Sequence, residues 1–156
     1  MSTTIKFRIT AKAGYPLIDE CRRMDELTNK VTSAIFITFS GNCIKALRFY
    51  QSCFGGTLQF ETFGKELLQV YTETPVVSGS LVSDRIIIHG SDLVHEEGRK
   101  IGNYMSIFLY CKTSNDRKVL IEKLEANKKS PFNRNDDDQK LIEITDMFDV
   151  RWLLGV

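Results

Sequence analysis

Histidine is the side chain in this sequence that suits acid–base chemistry most directly, because its pKa lies near neutrality. The chain has two histidines, His89 and His95. His89 follows three isoleucines, so we expect it near the end of a strand, where it either bonds to backbone or serves a ligand as acid, base or hydrogen-bond donor. His95 stands beside Glu96 and Glu97, which predicts a solvated loop. His89 is therefore the first candidate for a functional site.

Cysteine and aspartate are also present, but without the spacing that metal sites or nucleophiles need. The cysteines are Cys21, Cys43, Cys53 and Cys111. They form no C-x-x-C pair, and three of them fall in apolar periodic segments, where reduced cysteine behaves as a small hydrophobe. Cys43 lies near a predicted helix start, which favours a thiolate, but no base is visible for it in the sequence. The acidic run at 136–138 lacks the alternating ligands and the glycine of a calcium loop.

The overall composition predicts one soluble domain and argues against two classes of partner. At 156 residues and 42% apolar side chains, the chain can bury a core of its own. A net charge of +1, from 21 basic and 20 acidic residues, gives no electrostatic footprint for nucleic acid or an anionic membrane. We find no apolar run of about 18 residues and no apolar core of a signal peptide. Together with the cysteine pattern, these features predict a cytoplasmic protein.

Residues 35–56 form the clearest unit that could position a site. Ile35, Phe36, Ile37 and Phe39 predict a largely buried strand. Ser40 or Asn42 is expected to cap the helix that follows. The apolar positions of that helix are Ile44, Leu47, Tyr50 or Gln51, and Phe54, with Phe49 and Cys53 beside them. Two glycines at 55–56 end the helix, and a unit of this size must pack its helix on a sheet.

The rest of the chain repeats this arrangement. Further strands are predicted at 57–63, 67–72, 80–83 and 85–89, with a hairpin turn at 64–66 and a charged linker at 92–102. A second unit then has a strand at 105–111, an N-cap at 113–115, a helix to Asn127 and closing strands at 141–145 and 150–154. Val119, Leu120, Leu124 and Ile121 are expected on the buried side of its helix. Two β-α-β-β-β units in tandem therefore form an internal repeat.

Residues 1–33 add a strand and a helix before the first unit. Ile5, Phe7 and Ile9 alternate with polar residues, and the apolar residues between Leu17 and Val31 recur at helical spacing. We expect this extension to pack on the domain as an added layer. The alternative function is a lid or a dimerisation arm.

Several motifs together carry a family resemblance. The stretches FSGNCIKALRFYQSCFGG, DRIIIHGSD, MSIFLYC and ITDMFDVRWLLGV, in this order, resemble the PhnB-like branch of the vicinal-oxygen-chelate superfamily. That superfamily includes glyoxalase I, extradiol dioxygenases and bleomycin-resistance proteins. The resemblance covers residues 34–156 and implies an α+β domain of two βαβββ modules, at about 34–92 and 104–156, whose sheets curl around a concave pocket. It also implies a homodimer.

The resemblance implies where metal ligands would lie in metal-using relatives, namely on the first and last strands of each module. The matching positions here are Ile35, Phe36, Ile37 and Thr38 in the first strand of the first module, Met105, Ser106 and Ile107 in the first strand of the second module, and Trp152 or Leu153 in its last strand. None of these side chains is a carboxylate or an imidazole. Only His89 is a plausible ligand, and one imidazole cannot hold a labile divalent ion in water. We therefore predict no metal and no cofactor.

Three functions remain open, because a fold alone does not fix function and the sequence does not decide whether the protein is an enzyme. The first is binding of a small organic molecule in the pocket without the usual metal. Its candidate lining residues are Thr38, Tyr71, His89, Ser106, Tyr110 and Trp152. The second is a metal-dependent lyase, isomerase or dioxygenase of the same superfamily. The third is a non-catalytic structural or interaction module, and Trp152 can equally fill a core.

Overall fold

Two sheets and two helices make up the part of the chain that the computed structural model describes, residues 33–62, 75–92, 100–126 and 139–156. The first unit has β1 (Ile35–Thr38), α1 (Cys43–Phe54), β2 (Thr57–Thr62), β3 (Val76–Val82) and β4 (Ile87–Ser91). The second unit has β5 (Ile107–Tyr110), α2 (Ser114–Glu125), β6 (Leu141–Thr145) and β7 (Arg151–Gly155). Neither helix is long and apolar enough to cross a membrane.

The strand order shows the repeat that the sequence predicts. Sheet A has the order β1-β4-β3-β2, and sheet B has the order β5-β7-β6. In each sheet the first strand of the unit pairs in parallel with the last strand, and the last strand pairs antiparallel with the one before it. The predicted α+β fold is confirmed and is consistent with βαβββ modules: three strands follow the helix of the first unit, and two follow the helix of the second unit in the described residues. The division into modules at 34–92 and 104–156 stays a prediction.

Helix α1 packs closely on one face of sheet A, and two glycines make this possible. A β-carbon at Gly79 would lie 2.7 Å from Cδ1 of Leu47, and one at Gly90 would lie 2.9 Å from Sγ of Cys43. Gly79 and Gly90 are paired across β3 and β4, so both lie on the face of the sheet that the helix covers. Residues of the intervening positions, such as His89, must therefore lie on the opposite face.

The N-terminus of α1 is capped by a residue that directly follows strand β4. Asn42 occupies the predicted N-cap position, but its side chain makes no capping hydrogen bond. Instead, Oδ1 of Asp92 accepts a hydrogen bond from the Cys43 amide at 3.0 Å, and Oδ2 accepts one from the Val76 amide at 3.0 Å. Asp92, which was assigned to the linker by its sequence context, thus fixes the start of α1 to the start of β3.

A buried carboxylate joins the two units. Asp146, in the turn between β6 and β7, accepts hydrogen bonds from the Tyr50 hydroxyl of α1 and the Trp152 indole, each at 2.8 Å. Its other oxygen accepts from the amides of Phe148 and Val150. The Tyr50 and Trp152 rings also pack at 5.6 Å between centroids. Helix α1 is therefore held to sheet B by one fully buried polar group with four donors.

Most predicted elements are confirmed, with some corrections at their edges. Strand β6 has the predicted bounds, and Thr113 caps α2 by accepting from the Asp116 amide at 3.1 Å. Strand β3 begins at Val76 rather than at residue 80, because pairing with β2 overrides the weak strand propensity of its serine and glycine. The strand at 67–72, the turn at 64–66 and residues 1–32 lie outside the described residues.

The buried face of α2 also differs from the prediction. Leu120 and Leu124 are buried as expected, but Val119 is 44% exposed. Arg117 is buried instead, and its guanidinium donates a 2.6 Å hydrogen bond to the carbonyl of Gln139, just before β6. Apolar periodicity cannot predict this, because a long cationic side chain is normally assigned to the solvent face.

Candidate functional site

Polar side chains line the face of sheet A that lies opposite α1. The strand register places Ser80 beside His89, Phe36 beside His89, and Thr38 beside Ser91. It also places Gln59 beside Ser80 and Glu61 beside Ser78. We call this set the polar face, and its residues are Phe36, Thr38, Gln59, Glu61, Ser78, Ser80, His89 and Ser91.

The centre of the polar face is buried. Ser78, Ser80, His89 and Ser91 are each between 4% and 8% exposed. The hydroxyl of Ser91 donates to the Val76 carbonyl at 3.3 Å. Buried sheet faces usually carry apolar side chains, since a polar group taken from water costs free energy unless it finds a partner. A run of three serines and an imidazole at the buried centre is therefore a distinctive arrangement.

The two margins of the polar face differ in character. At the β1 edge, Phe36 is 58% exposed and lies next to His89. At the β2 edge, the Oε2 atom of Glu61 is buried and has no hydrogen-bond partner in the described part of the chain. An aromatic ring, central hydroxyls and a carboxylate thus follow one another across the four strands. Such a surface can bind an organic molecule that has both apolar and polar parts.

The structure brings two of the sequence-predicted site residues together, Thr38 and His89, both on the polar face. Tyr110 is 72% exposed and lies on sheet B, and Ser106 is exposed just before that strand. Trp152 is fully buried in the core and lies against Tyr50 and Phe54, so it fills the core rather than lining an open surface. Tyr71 lies outside the described residues.

An exposed apolar surface lies on the side of sheet B away from Trp152. Phe108 is 55% exposed and Leu141 is 51% exposed, and both side chains lie over Gly155, where a β-carbon would be 3.1 Å from Phe108 and 3.3 Å from Leu141. Arg151 and Glu143 form an ion pair on the same side. One end of this surface is therefore apolar, and the other end carries an arginine and a glutamate whose charges offset each other.

The polar face offers a poor set of metal ligands. His89 has Ser80 and Phe36 as its cross-strand neighbours, and neither is a strong ligand for a divalent ion. Within the described ranges, no group of three or more histidine, cysteine, aspartate or glutamate side chains is placed to hold an ion. The prediction that the protein uses no metal remains to be tested by titration.

The cysteines of the described residues do not form a nucleophilic site. Burial, and after it the nearby Asp92 carboxylate, raise the pKa of the Cys43 thiol to about 12. Desolvation and a neighbouring anion thus outweigh the helix start at Cys43, in agreement with the interpretation of this cysteine as a small buried hydrophobe rather than a nucleophile. Burial likewise raises the pKa values of Cys53 and Cys111. All three are protonated at neutral pH.

Sequence reasoning missed most of the polar face. Gln59, Glu61, Ser78, Ser80 and Ser91 were not among the candidates. Each is an ordinary polar residue in its own strand, and only the pairing of four strands places them side by side. One signal for this face was available in the sequence, the alternation of serine with glycine at 78–80. Because Gly79 lies on the face that α1 covers, Ser78 and Ser80 lie on the opposite face.

The fold resembles those of solved proteins. A Pseudomonas aeruginosa protein, PA1353, superposes with a TM-score of 0.62 at 22% identity, covering 81% of this chain and 97% of that one. The PhnB protein from Bacillus cereus gives a TM-score of 0.56 at 17% identity, covering 80% and 98%. The Arabidopsis thaliana gene product At5g48480 gives a TM-score of 0.50 at 16% identity, covering 81% and 99%. No family model matches the sequence, and no curated protein matches it. The chain therefore has the fold of PhnB-like proteins.

Proposed function

We propose that this protein binds a small organic molecule on the polar face of sheet A, without a metal ion, as a member of the PhnB-like branch of the vicinal-oxygen-chelate superfamily. The observation that carries the proposal is the row of buried polar side chains, Ser78, Ser80, His89 and Ser91, on the face that α1 does not cover. The homodimer implied by the resemblance is part of the proposal.

The chemistry of the row supports a ligand rather than a structural role. Ligand sites are typically apolar surfaces with a few convergent polar groups that set orientation. Phe36 supplies an exposed ring, while Ser80 and His89 supply hydrogen-bonding groups beside it. A purely structural sheet face would gain more stability from apolar side chains at the same buried positions, because each buried polar group must recover its lost hydration.

The donor set of the polar face supports metal-free binding. Hydroxyl groups are weak ligands for transition metals. Among the eight residues of the polar face, the strong metal ligands are the imidazole of His89 and the carboxylate of Glu61. The strand register places Glu61 two strands and two residues away from His89. From sheet spacings, their α-carbons are about 12 Å apart, which is too far for two ligands of one ion.

Affinity measurements on matched variants test the proposal. A fragment library of basic, acidic and neutral ring compounds is screened by ligand-observed NMR, and dissociation constants of the hits are then measured for wild type, Ser80→Ala and Ser52→Ala. We expect Ser80→Ala to weaken hits about fivefold or more, since one hydrogen bond is worth about 1 kcal/mol. Ser52→Ala removes the same hydroxyl from an exposed position on α1, outside the polar face, and is expected to change nothing. Equal affinities in all three proteins, or no hits, would overturn the proposal.

The alternative of a metal-dependent lyase, isomerase or dioxygenase depends on His89. Its buried position on the polar face is the observation in favour of it. Calorimetric titration of nickel, zinc and manganese into protein treated with EDTA separates the two functions. One tight equivalent that disappears in His89→Ala would support the metal enzyme.

A further inference from the structure

The carboxylate of Glu61 has an unmet hydrogen-bonding requirement. Glu61 lies in β2 beside Ser78, on the polar face, and the register of the sheet shifts directly after it. Its Oε2 atom is buried without a hydrogen-bond partner in the described residues. The extra residue at this shift is Val77 of β3, which lies between the partners of Glu61 and Thr62. The burial of Oε2 shows that this oxygen lies against the protein rather than in bulk solvent.

Leaving this oxygen without a donor is costly. A buried acceptor that lacks a partner forfeits its hydration, and the cost is larger for a charged group than for a neutral one. Charge-assisted hydrogen bonds are among the strongest in proteins, so a donor that reached this oxygen would recover much of that cost. The ligand is the natural source of such a donor.

No cation of the polar face itself can supply the donor. The other seven residues of the face include no lysine or arginine. His89 is the remaining candidate, but its α-carbon is about 12 Å from that of Glu61, as estimated from the spacing of residues and strands. The ion pair of Arg151 with Glu143 shows that the chain does neutralise a carboxylate with arginine elsewhere, on sheet B.

We infer that the molecule bound by the polar face carries an amine, whose ammonium group donates to Oε2 of Glu61 while an apolar ring lies toward Phe36. This inference rests on the proposed function and names the chemical class of its ligand. An ammonium group supplies both a positive charge and up to three donors. A carboxylate ligand would meet repulsion at Glu61, and an alcohol would supply a donor without the charge.

Three matched probes test the inference. They are 2-phenylethylamine, 2-phenylethanol and 3-phenylpropionate, which share a ring and differ in the terminal group. Their dissociation constants and the backbone amides that they perturb are measured by NMR for wild type, Glu61→Gln and Glu143→Gln. Glu61→Gln keeps the shape and removes the charge. Glu143→Gln removes a carboxylate that already has a cationic partner, so it controls for general attraction of amines to an acidic surface.

The expected result is that the amine binds at least tenfold more tightly than the alcohol and the acid, perturbs residues of β2 and β3, and loses at least tenfold in affinity in Glu61→Gln but not in Glu143→Gln. If the alcohol or the acid binds the same residues as tightly as the amine, the inference is overturned and the proposed function stands. If none of the three probes perturbs the polar face, the inference is overturned, and the fragment screen described above decides the proposed function separately. The comparison of the probes on wild type does not depend on any variant folding.

Discussion

Gly56 shows how a single residue constrains the first unit. It has a φ of +95°, and a β-carbon there would lie 2.3 Å from the carbonyl oxygen of Val82. Gly41 has a φ of +80° with nothing within 4 Å of the same point. Both positions favour glycine because other residues rarely adopt positive φ, but only Gly56 adds a backbone clash.

Substitution of these two glycines should therefore have unequal effects. We expect Gly41→Ala to cost about 1 kcal/mol of unfolding free energy, from backbone conformation alone. Gly56→Ala should cost roughly 3 kcal/mol or more, since the clash adds to that strain. Urea denaturation followed by circular dichroism measures both. If the two variants lose equal unfolding free energy, the backbone at Gly56 moves away from Val82 without cost, and the prediction is wrong.

The thiol of Cys43 predicts a pH dependence of stability. Its pKa is raised from 9.0 to about 12 in the folded protein, by burial first and then by Asp92. The unfolded chain therefore loses this proton at a lower pH than the folded chain, and the stabilising contribution is full below pH 9 and declines as pH rises toward 12. We measure the denaturant concentration at the unfolding midpoint at pH 7.5 and at pH 10. The midpoint should decrease between these two pH values by more in wild type than in Cys43→Ala. An equal fall in the two proteins would contradict the assignment.

Residue types in the sequence made His89 and Thr38 candidates for the site, because each carries a functional group at a recognisable point of a strand. They could not identify Glu61 or Ser80. Their significance arises from cross-strand neighbours that are distant in the chain, such as the pairing of Ser80 with His89. The size of the rise in the Cys43 pKa likewise could not be predicted, because Asp92, 49 residues away, could not be placed beside it.

At the level of elements, helix α1 depends on a cap from β4's end. Asp92 accepts hydrogen bonds from the amides of Cys43 and Val76, whereas Asn42 makes no capping bond although it occupies the N-cap position. We expect Asp92→Ala to destabilise the fold by about 2 kcal/mol, since two buried amides lose a charged acceptor. Asn42→Ala is the matched control and should cost less than about 0.5 kcal/mol. A larger effect at Asn42 than at Asp92, by thermal denaturation, would contradict this account of the helix.

The Asp146 turn is the corresponding link between α1 and sheet B. Asp146→Ala leaves the Tyr50 hydroxyl, the Trp152 indole and two amides without their acceptor, and it should cost roughly 3 kcal/mol. Tyr50→Phe removes one of these bonds and should cost about 1 kcal/mol. Trp152 is the only tryptophan, so its fluorescence reports the change directly. A red shift is expected in Asp146→Ala, and unchanged emission with unchanged stability would refute the link.

Elements with strong local signals were predictable from the sequence. The bounds of β6 and the Thr113 cap of α2 follow from alternation and from a threonine placed three residues before an aspartate. The sequence predicts this strand only from residue 80, because Pro75 favours a loop before it, whereas β3 begins at Val76. Pairing with β2 and β4 decided that segment, which is a tertiary effect that local propensity does not contain.

For the whole molecule, the solved relatives account for about four fifths of this chain and nearly all of their own lengths. The unmatched fifth is similar in size to the extension predicted at 1–33. At identities of 16% to 22%, the likeness establishes the fold and leaves the chemistry to the residues. The third function, a structural or interaction module, would use the open apolar surface around Phe108 and Leu141 on sheet B.

The central claim is that the polar face of sheet A binds an organic ligand without a metal ion, and amide chemical-shift mapping tests it most directly. Protein treated with EDTA is titrated with the tightest fragment, and the titration is repeated with one equivalent of nickel, zinc or manganese. The account predicts shifts that cluster at Thr38, Ser78, Ser80, His89 and Ser91, with the same affinity in every titration. Shifts that cluster elsewhere, or binding that requires the metal, would contradict it.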